Sequence, residues 1–281
     1  MKIIDSHMHF SDIATFKHSA YICSELDYSE KGHQNEAREN GVVHSICMGL
    51  SEIPPDLFPS GDAKTPMLAD LTEKLPPDMS LCLGINPHTL TEKSLGEMEE
   101  MITGKCGVVG IKIYAGYYHF DVSDPVYDPV YKLAEKHDIA VAIHCGDTYS
   151  EKGLLVYAHP LTVDRLAVNH PDLRIVICHI GTPWIFDACE VTAKNKNVYV
   201  DTSGLLVGNR EFVAKAAANP LVVDRYRSAL TYLERYDKVI FGTDWPLAAM
   251  DEYIGFCKRL VPQEAHGMFF YENAVKVYRC C

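Results

Sequence analysis

Asp5-Ser6-His7-Met8-His9 places two imidazoles two residues apart, directly after the apolar pair Ile3-Ile4. Alternate side chains of an extended strand project to the same side, so Asp5, His7 and His9 are expected on one face and Ile4, Ser6 and Met8 on the other. Two imidazoles on one face can share a cation, because His is the commonest neutral ligand for zinc and its first-row neighbours. The pair alone is a weak signal in a chain with 13 His. It gains weight from polar residues that interrupt or close other apolar runs: Lys112 in Val108-Val-Gly-Ile-Lys-Ile-Tyr114, His144 after Ile139-Ala-Val-Ala-Ile143, His179 after Ile175-Val-Ile-Cys178, and Asp244 after Val239-Ile-Phe-Gly-Thr243.

These runs belong to eight predicted strands: 1–9, Val42–Met48, Met79–Asn86, Val108–Tyr114, Ile139–Cys145, Leu173–His179, Asn197–Ser203 and Lys238–Asp244. Helical spacing is read at Gln34–Asn40, Pro66–Leu75, Thr91–Ile102, Asp128–Lys136, Pro160–Asn169, Trp184–Lys194, Glu211–Ala218, Leu221–Tyr236 and Tyr271–Tyr278. Phe10 to Gly32 shows no clear period, and Ser51 to Pro66 reads as loop. Eight strands alternating with helices imply a parallel sheet with crossover connections, and at this length they most simply close into a single α/β (β/α)8 TIM barrel spanning residues 1–281 as one domain. A doubly wound open sheet is the alternative, though no Gly-x-Gly-x-x-Gly turn follows the first strand. In a barrel the C-terminal ends of the strands converge on one mouth. His7 and His9, Lys112, His144, His179 and Asp244 all sit near those ends, on strands one, four, five, six and eight. Parity agrees: His144 shares a face with Ala140 and Ala142, His179 with Ile175 and Ile177, and Asp244 with Ile240 and Gly242.

A balance of 26 basic against 38 acidic residues gives a formal charge of -12, which disfavours nucleic acid and anionic membrane surfaces as partners. No apolar run approaches the ~20 residues needed to span a bilayer, and no secretory leader pattern opens the chain, so a soluble cytoplasmic protein is expected. The ten Cys are scattered, without a Cys-x-x-Cys pair, and Cys47, Cys82, Cys145 and Cys178 fall in apolar runs as small buried hydrophobes. Cys280-Cys281 is expected to be a solvated tail.

Several motifs together resemble the amidohydrolase superfamily: Asp5-x-His7-x-His9, His144 at strand five, His179-Ile-Gly181 at strand six, and Phe241-Gly-Thr-Asp244-Trp-Pro246 at strand eight. Gly110-Ile-Lys112, Asn197-Val-Tyr-Val-Asp201-Thr-Ser203 and Glu272-Asn273-Ala274 extend the likeness along nearly the whole chain. The closer resemblance is to the amidohydrolase-related branch, which holds hydrolases and metal-dependent decarboxylases of small unsaturated or aromatic acids. This resemblance implies one divalent ion, zinc before manganese, on His7, His9, His144 and Asp244, with His179 and Asp244 catalytic. Three imidazoles and one carboxylate leave a net positive site that makes water a nucleophile near neutral pH.

The resemblance leaves Lys112 with three roles: a contact to a substrate carboxylate, a carboxylated bridge between two metals, or a structural residue. Tyr114, with Tyr117, Tyr118 and His119 beyond it, either lines a pocket or packs, and Trp184 and Trp245 divide the same way. Asp5 is expected to hold a ligand or the lysine. The first functional expectation is a hydrolase of a small amide, ester or lactone. A nonoxidative decarboxylase, a metal-free lactonase and a non-catalytic metal- or ligand-binding barrel are the rivals. Related barrels are often dimers, and a homodimer is left open.

Overall fold

The computed structural model describes residues 1–9, 14–49, 75–104 and 107–280. Strands β1 (Ile3–Met8), β2 (Val42–Met48), β3 (Met79–Ile85), β4 (Val108–Ile113), β5 (Ala140–Ile143), β6 (Ile175–Ile177), β7 (Val198–Asp201) and β8 (Val239–Ile240) lie side by side in chain order, each neighbouring pair parallel. The chain after β8 returns to β1: Ser6 N donates to Phe241 O at 3.1 Å and Asp244 N to His7 O at 2.8 Å. The expected eight-stranded barrel is therefore present.

Helices α1 (Ala14–Ser24) and α2 (Glu30–Asn40) follow β1, α3 (Glu92–Thr103) follows β3, α4 (Asp128–His137) follows β4, and α5 (Leu161–Asn169) follows β5. After β6 comes α6 (Ile185–Lys194), after β7 come α7 (Arg210–Ala218) and α8 (Pro220–Leu233), and after β8 come α9 (Met250–Cys257) and α10 (Asn273–Tyr278). Local chemistry marks their ends. The Ser29 hydroxyl accepts from Gly32 N at the start of α2, and Gly41 ends it at φ 72°. Thr91 and Ser94 cap α3 reciprocally. The segment expected at Pro66–Leu75 lies, except for Leu75, outside the described residues, as does the loop read at Ser51 to Pro66.

Two helices were not expected. α1 occupies the stretch without a period because it has no apolar stripe: Ala20 and Ser24 are buried, while Tyr21 and Ile22 face solvent. α9 begins without a side-chain cap and contains Gly255, which hides a helix whose Met250, Tyr253, Ile254 and Phe256 are buried.

Apolar side chains form two cores. Ile4, Ile46, Cys82, Ala140, Ala142, Val176, Cys178, Tyr199 and Ile240 fill the barrel interior, plugged by Ala274, Val277 and Tyr278 of α10. Ile3, Leu83, Ile111, Val141, Ile175 and Val200 alternate with them and meet the helices outside. Cys280 joins the interior cluster at 3% exposure, so it is not part of a solvated tail. The eight described Cys are all free.

Face alternation is interrupted at several points, and the interruption in β1 matters for the site. Ile4 packs inside the barrel, but Met8, of the same parity, packs outside, because β1 carries a bulge between Asp5 and Met8 in its pairing with β2. Asp5 therefore does not point alongside His7; it turns to Thr243, accepting from its N at 2.9 Å and its Oγ1 at 2.5 Å. Strands β5 to β8 also stop earlier than expected. His144, His179 and Asp244 lie beyond them in turns, where strand parity no longer aims a side chain.

Candidate metal centre

His7, His9 and Asp244 meet where β1 and the segment after β8 close the barrel, each offering an atom within 4.8 Å of the others. Asp244 Oδ1 is 3.2 Å from His9 Nε2 and 3.5 Å from His7 Nε2. The hydrogen bonds on the far sides of the rings decide what these nitrogens carry. His9 Nδ1 faces the Met48 carbonyl at 3.3 Å, and His7 Nδ1 faces Asp201 Oδ2 at 2.9 Å. The Asp201 carboxylate only accepts, so the His7 ring places its proton on Nδ1 and keeps its lone pair on Nε2. His7 Nε2 and Asp244 Oδ1 are buried and make no hydrogen bond within the described residues. A buried ring nitrogen and a carboxylate oxygen that make no hydrogen bond, with His9 Nε2 3.2 Å from the same oxygen, suit a divalent cation.

His179 and His144 extend the cluster. His179 Nδ1 donates to Ser203 O at 3.1 Å and Ser203 Oγ at 2.9 Å, so its bare Nε2 faces His144 Nδ1 at 3.1 Å. His144 in turn donates from Nε2 to Asp147 O at 2.8 Å. His179 Nδ1 also lies 3.9 Å from Asp244 Oδ2. Both His179 and Asp244 hold left-handed backbone, φ 59° and 65°, which non-glycine residues adopt only under constraint. His7 is sealed at 1% side-chain exposure, whereas His9, His179 and Asp244 keep 9 to 14%, so the cluster opens on their side.

Burial dominates the electrostatics. It lowers His7 to about 4, helped by the Lys112 charge and opposed by Asp201. It also lowers His179 and takes His144 well below the ordinary range, so these rings are neutral lone-pair donors at neutral pH. Burial would raise Asp244, but the His9, His179 and His7 rings outweigh it and hold the carboxyl well below the usual range. Asp201 is held down in the same way by His7, His179 and Ser203 against its own burial.

A family model described as Amidohydrolase (Amidohydro_2) matches residues 4–280. The chain belongs to this amidohydrolase family. No curated protein matches it. Among solved structures, the chain is similar to an uncharacterised TIM-barrel protein of Bordetella bronchiseptica, with a TM-score of 0.73 at 18% identity over 99% of this chain and 98% of that one. It is also similar to 5-carboxyvanillate decarboxylase of Sphingomonas paucimobilis, at 0.64 and 15% over 100% and 99%. A probable 2-pyrone-4,6-dicarboxylic acid hydrolase of Acinetobacter baumannii gives 0.65 and 15% over 99% and 100%. At these identities the structures share the fold.

Of the residues singled out in the sequence, the fold brings His7, His9 and Asp244 into one group. His179 stands beside them, and His144 is joined to them through His179. Lys112 is 1% exposed and donates from Nζ to Cys178 Sγ at 3.0 Å, close enough for its charge to act on His7, His144 and His179. The Tyr114 hydroxyl donates to Gly49 O at 2.6 Å, and Tyr117 packs edge-on against His144 with ring centroids 4.9 Å apart. Trp245 is buried against Tyr28 and His33, while the Trp184 ring lies tilted against His159 with centroids 4.7 Å apart.

Three residues of β7 and its exit had no role read into them. Asp201 and Ser203 bond the rings of His7 and His179. Gly204, at φ 63°, leaves room that a Cβ would take at 2.7 Å from Asp244 Oδ2 and 3.0 Å from His179 Nδ1. Asp201 closing the apolar run Val198-Tyr-Val200 carried the same signal as His144 and Asp244. No helix among the described residues is long and apolar enough to cross a membrane.

Proposed function

We propose that this amidohydrolase is a metal-dependent hydrolase of a small amide, ester or lactone. The observation that carries the reading is the convergence of His7 Nε2 and His9 Nε2 on Asp244 Oδ1, with His7 Nε2 and Asp244 Oδ1 buried and making no hydrogen bond among the described residues. His7, His9 and Asp244 would hold one divalent ion, with His144 as the fourth ligand, and this set of nitrogens and one carboxylate suits zinc. Such an ion, when bound, supplies Lewis acidity and lowers the pKa of water toward neutrality.

The remaining chemistry belongs to the chain. His179 is kept neutral by burial and carries its proton on Nδ1, so its Nε2 is a base. It takes a proton from water as the water oxygen bonds to the scissile carbonyl carbon. It returns that proton to the leaving nitrogen or oxygen as the C–N or C–O bond breaks. Asp244 Oδ2, 3.9 Å from Nδ1, supports the imidazolium formed in between. Lys112, engaged with Cys178, is a structural residue in this reading rather than a bridge between two metals.

A decarboxylase is the second reading, favoured by the likeness to 5-carboxyvanillate decarboxylase. There a C–C bond breaks, carbon dioxide leaves, and His179 protonates the carbon. The deciding experiment measures metal per chain on protein purified without chelator, then acid release from lactones, esters and amides beside carbon dioxide release from hydroxybenzoates. One equivalent of zinc with acid release is the expected result. Carbon dioxide release replaces the first reading by the second, and inactivity toward both panels leaves a metal-binding barrel.

A further inference from the structure

We infer that Asp201 and Ser203 form a positioning pair that fixes the protons of two imidazoles at once, leaving His7 a lone pair for the cation and His179 a lone pair for catalysis. The inference rests on the metal-site reading above and concerns residues that touch neither substrate nor ion.

The proton count is closed. Asp201 Oδ2 accepts from His7 Nδ1 at 2.9 Å. Asp201 Oδ1 accepts from His179 N at 2.9 Å, Ser203 N at 3.0 Å and Ser203 Oγ at 2.6 Å. The single hydroxyl proton of Ser203 is thus committed to Asp201. Its oxygen can only accept from the two rings it also touches, His179 Nδ1 at 2.9 Å and His7 Nδ1 at 3.0 Å. Both rings are then Nδ1–H tautomers; His7 Nε2 makes no hydrogen bond among the described residues, and His179 Nε2 meets His144 Nδ1 at 3.1 Å. All of this is buried, with Asp201 and Ser203 at 0% exposure, so water cannot substitute for a lost partner. The bond from His179 N to Asp201 also ties down the residue at φ 59°, linking the pose of the base to the aim of the ligand.

Carboxylates behind metal-binding imidazoles commonly set affinity by about 10- to 100-fold through orientation and tautomer. Asp201→Asn keeps the size but puts an amide N–H₂ among these donors. With its oxygen toward the Oδ1 donors, its N–H₂ meets His7 Nδ1 and drives the ring to the Nε2–H tautomer, which cannot bind a metal.

The test uses the metal-free full chain. Long-range ¹H–¹⁵N spectra should show Nδ1–H tautomers for His7 and His179 in the wild type and Nε2–H for His7 in Asp201→Asn. Zinc affinity, from competition with a chromophoric chelator, should fall about 10- to 100-fold in Asp201→Asn. Ser203→Ala retains the carboxylate and the Ser203 carbonyl, so it should leave the His7 tautomer and zinc affinity nearly unchanged and weaken, without abolishing, the Nδ1–H preference of His179. It also serves if Asp201→Asn does not fold, as thermal melting of each metal-free variant will show. Nε2–H tautomers in the wild type, or wild-type zinc affinity in folded Asp201→Asn, would overturn the pair. Nδ1–H tautomers in a wild type that binds no zinc would retain the proton assignment and remove the metal site instead.

Discussion

His7 has Nδ1 engaged by Asp201 and an Nε2 without a hydrogen bond, whereas His179 meets Ser203 through Nδ1 and His144 through Nε2, and that difference separates ligand from base. Asp244→Ala leaves His7 and His9 as two nitrogen ligands without the only carboxylate turned on both. Bound zinc, read by elemental analysis after gel filtration, is expected to fall at least about tenfold, with turnover falling in step. His179→Ala removes a base whose Nε2 faces His144, not Asp244 Oδ1. It should keep its zinc and lose about 100- to 10,000-fold in kcat. Full metal in Asp244→Ala, or unchanged kcat in His179→Ala, contradicts the roles given to them. Lys112 shows why residue type alone decided less. A lysine in an apolar strand leaves a substrate contact, a metal bridge and a structural role open, and only the fold shows it donating to the Cys178 thiol.

The elements aim these residues by their ends. The bulge in β1 turns His7 inward while Asp5 clamps Thr243, the residue before Asp244, so one strand sets a ligand and steadies its partner across the seam. The exit of β7 is equally specific. Gly204→Ala adds a methyl at φ 63° against Asp244 Oδ2 and His179 Nδ1. Displacing those groups by a few tenths of an ångström to an ångström should cost about 100-fold in kcat/KM. Gly255→Ala, in α9 with nothing within 4 Å of the added methyl, is the control and should stabilise by about 0.5–1 kcal/mol. Equal effects of the two substitutions on kcat/KM would show that the β7 exit does not position the site.

For the whole molecule, stability and pH are coupled through His33, which is 0% exposed, 3.2 Å from Ser45 Oγ and packed on Trp245. Burial lowers its pKa from 6.5 to about 4. Between those values the unfolded chain binds the proton that the folded chain refuses, so stability is complete above about 6.5 and is lost as pH falls toward 4, by up to about 3 kcal/mol. Denaturant titrations of metal-free protein across that range should show a shallower pH slope for His33→Gln; an identical slope would remove His33 as a source of the loss. The sequence by itself determined the barrel, because eight apolar runs separated by helical spacing have few other ways to bury both faces of a parallel sheet. It also marked His7, His9, His144, His179 and Asp244, since polar side chains closing apolar strands stand out against their neighbours. The missed α1 lacks an apolar stripe, and α9 is masked by Gly255 and an uncapped start. Tertiary structure alone decided which nitrogen of His7 makes no hydrogen bond, that Asp5 serves Thr243, and that Asp201 and Gly204 shape the site. Those outcomes depend on hydrogen bonds and close contacts between residues up to some two hundred positions apart, and on left-handed turns and a bulge that strand periodicity cannot encode.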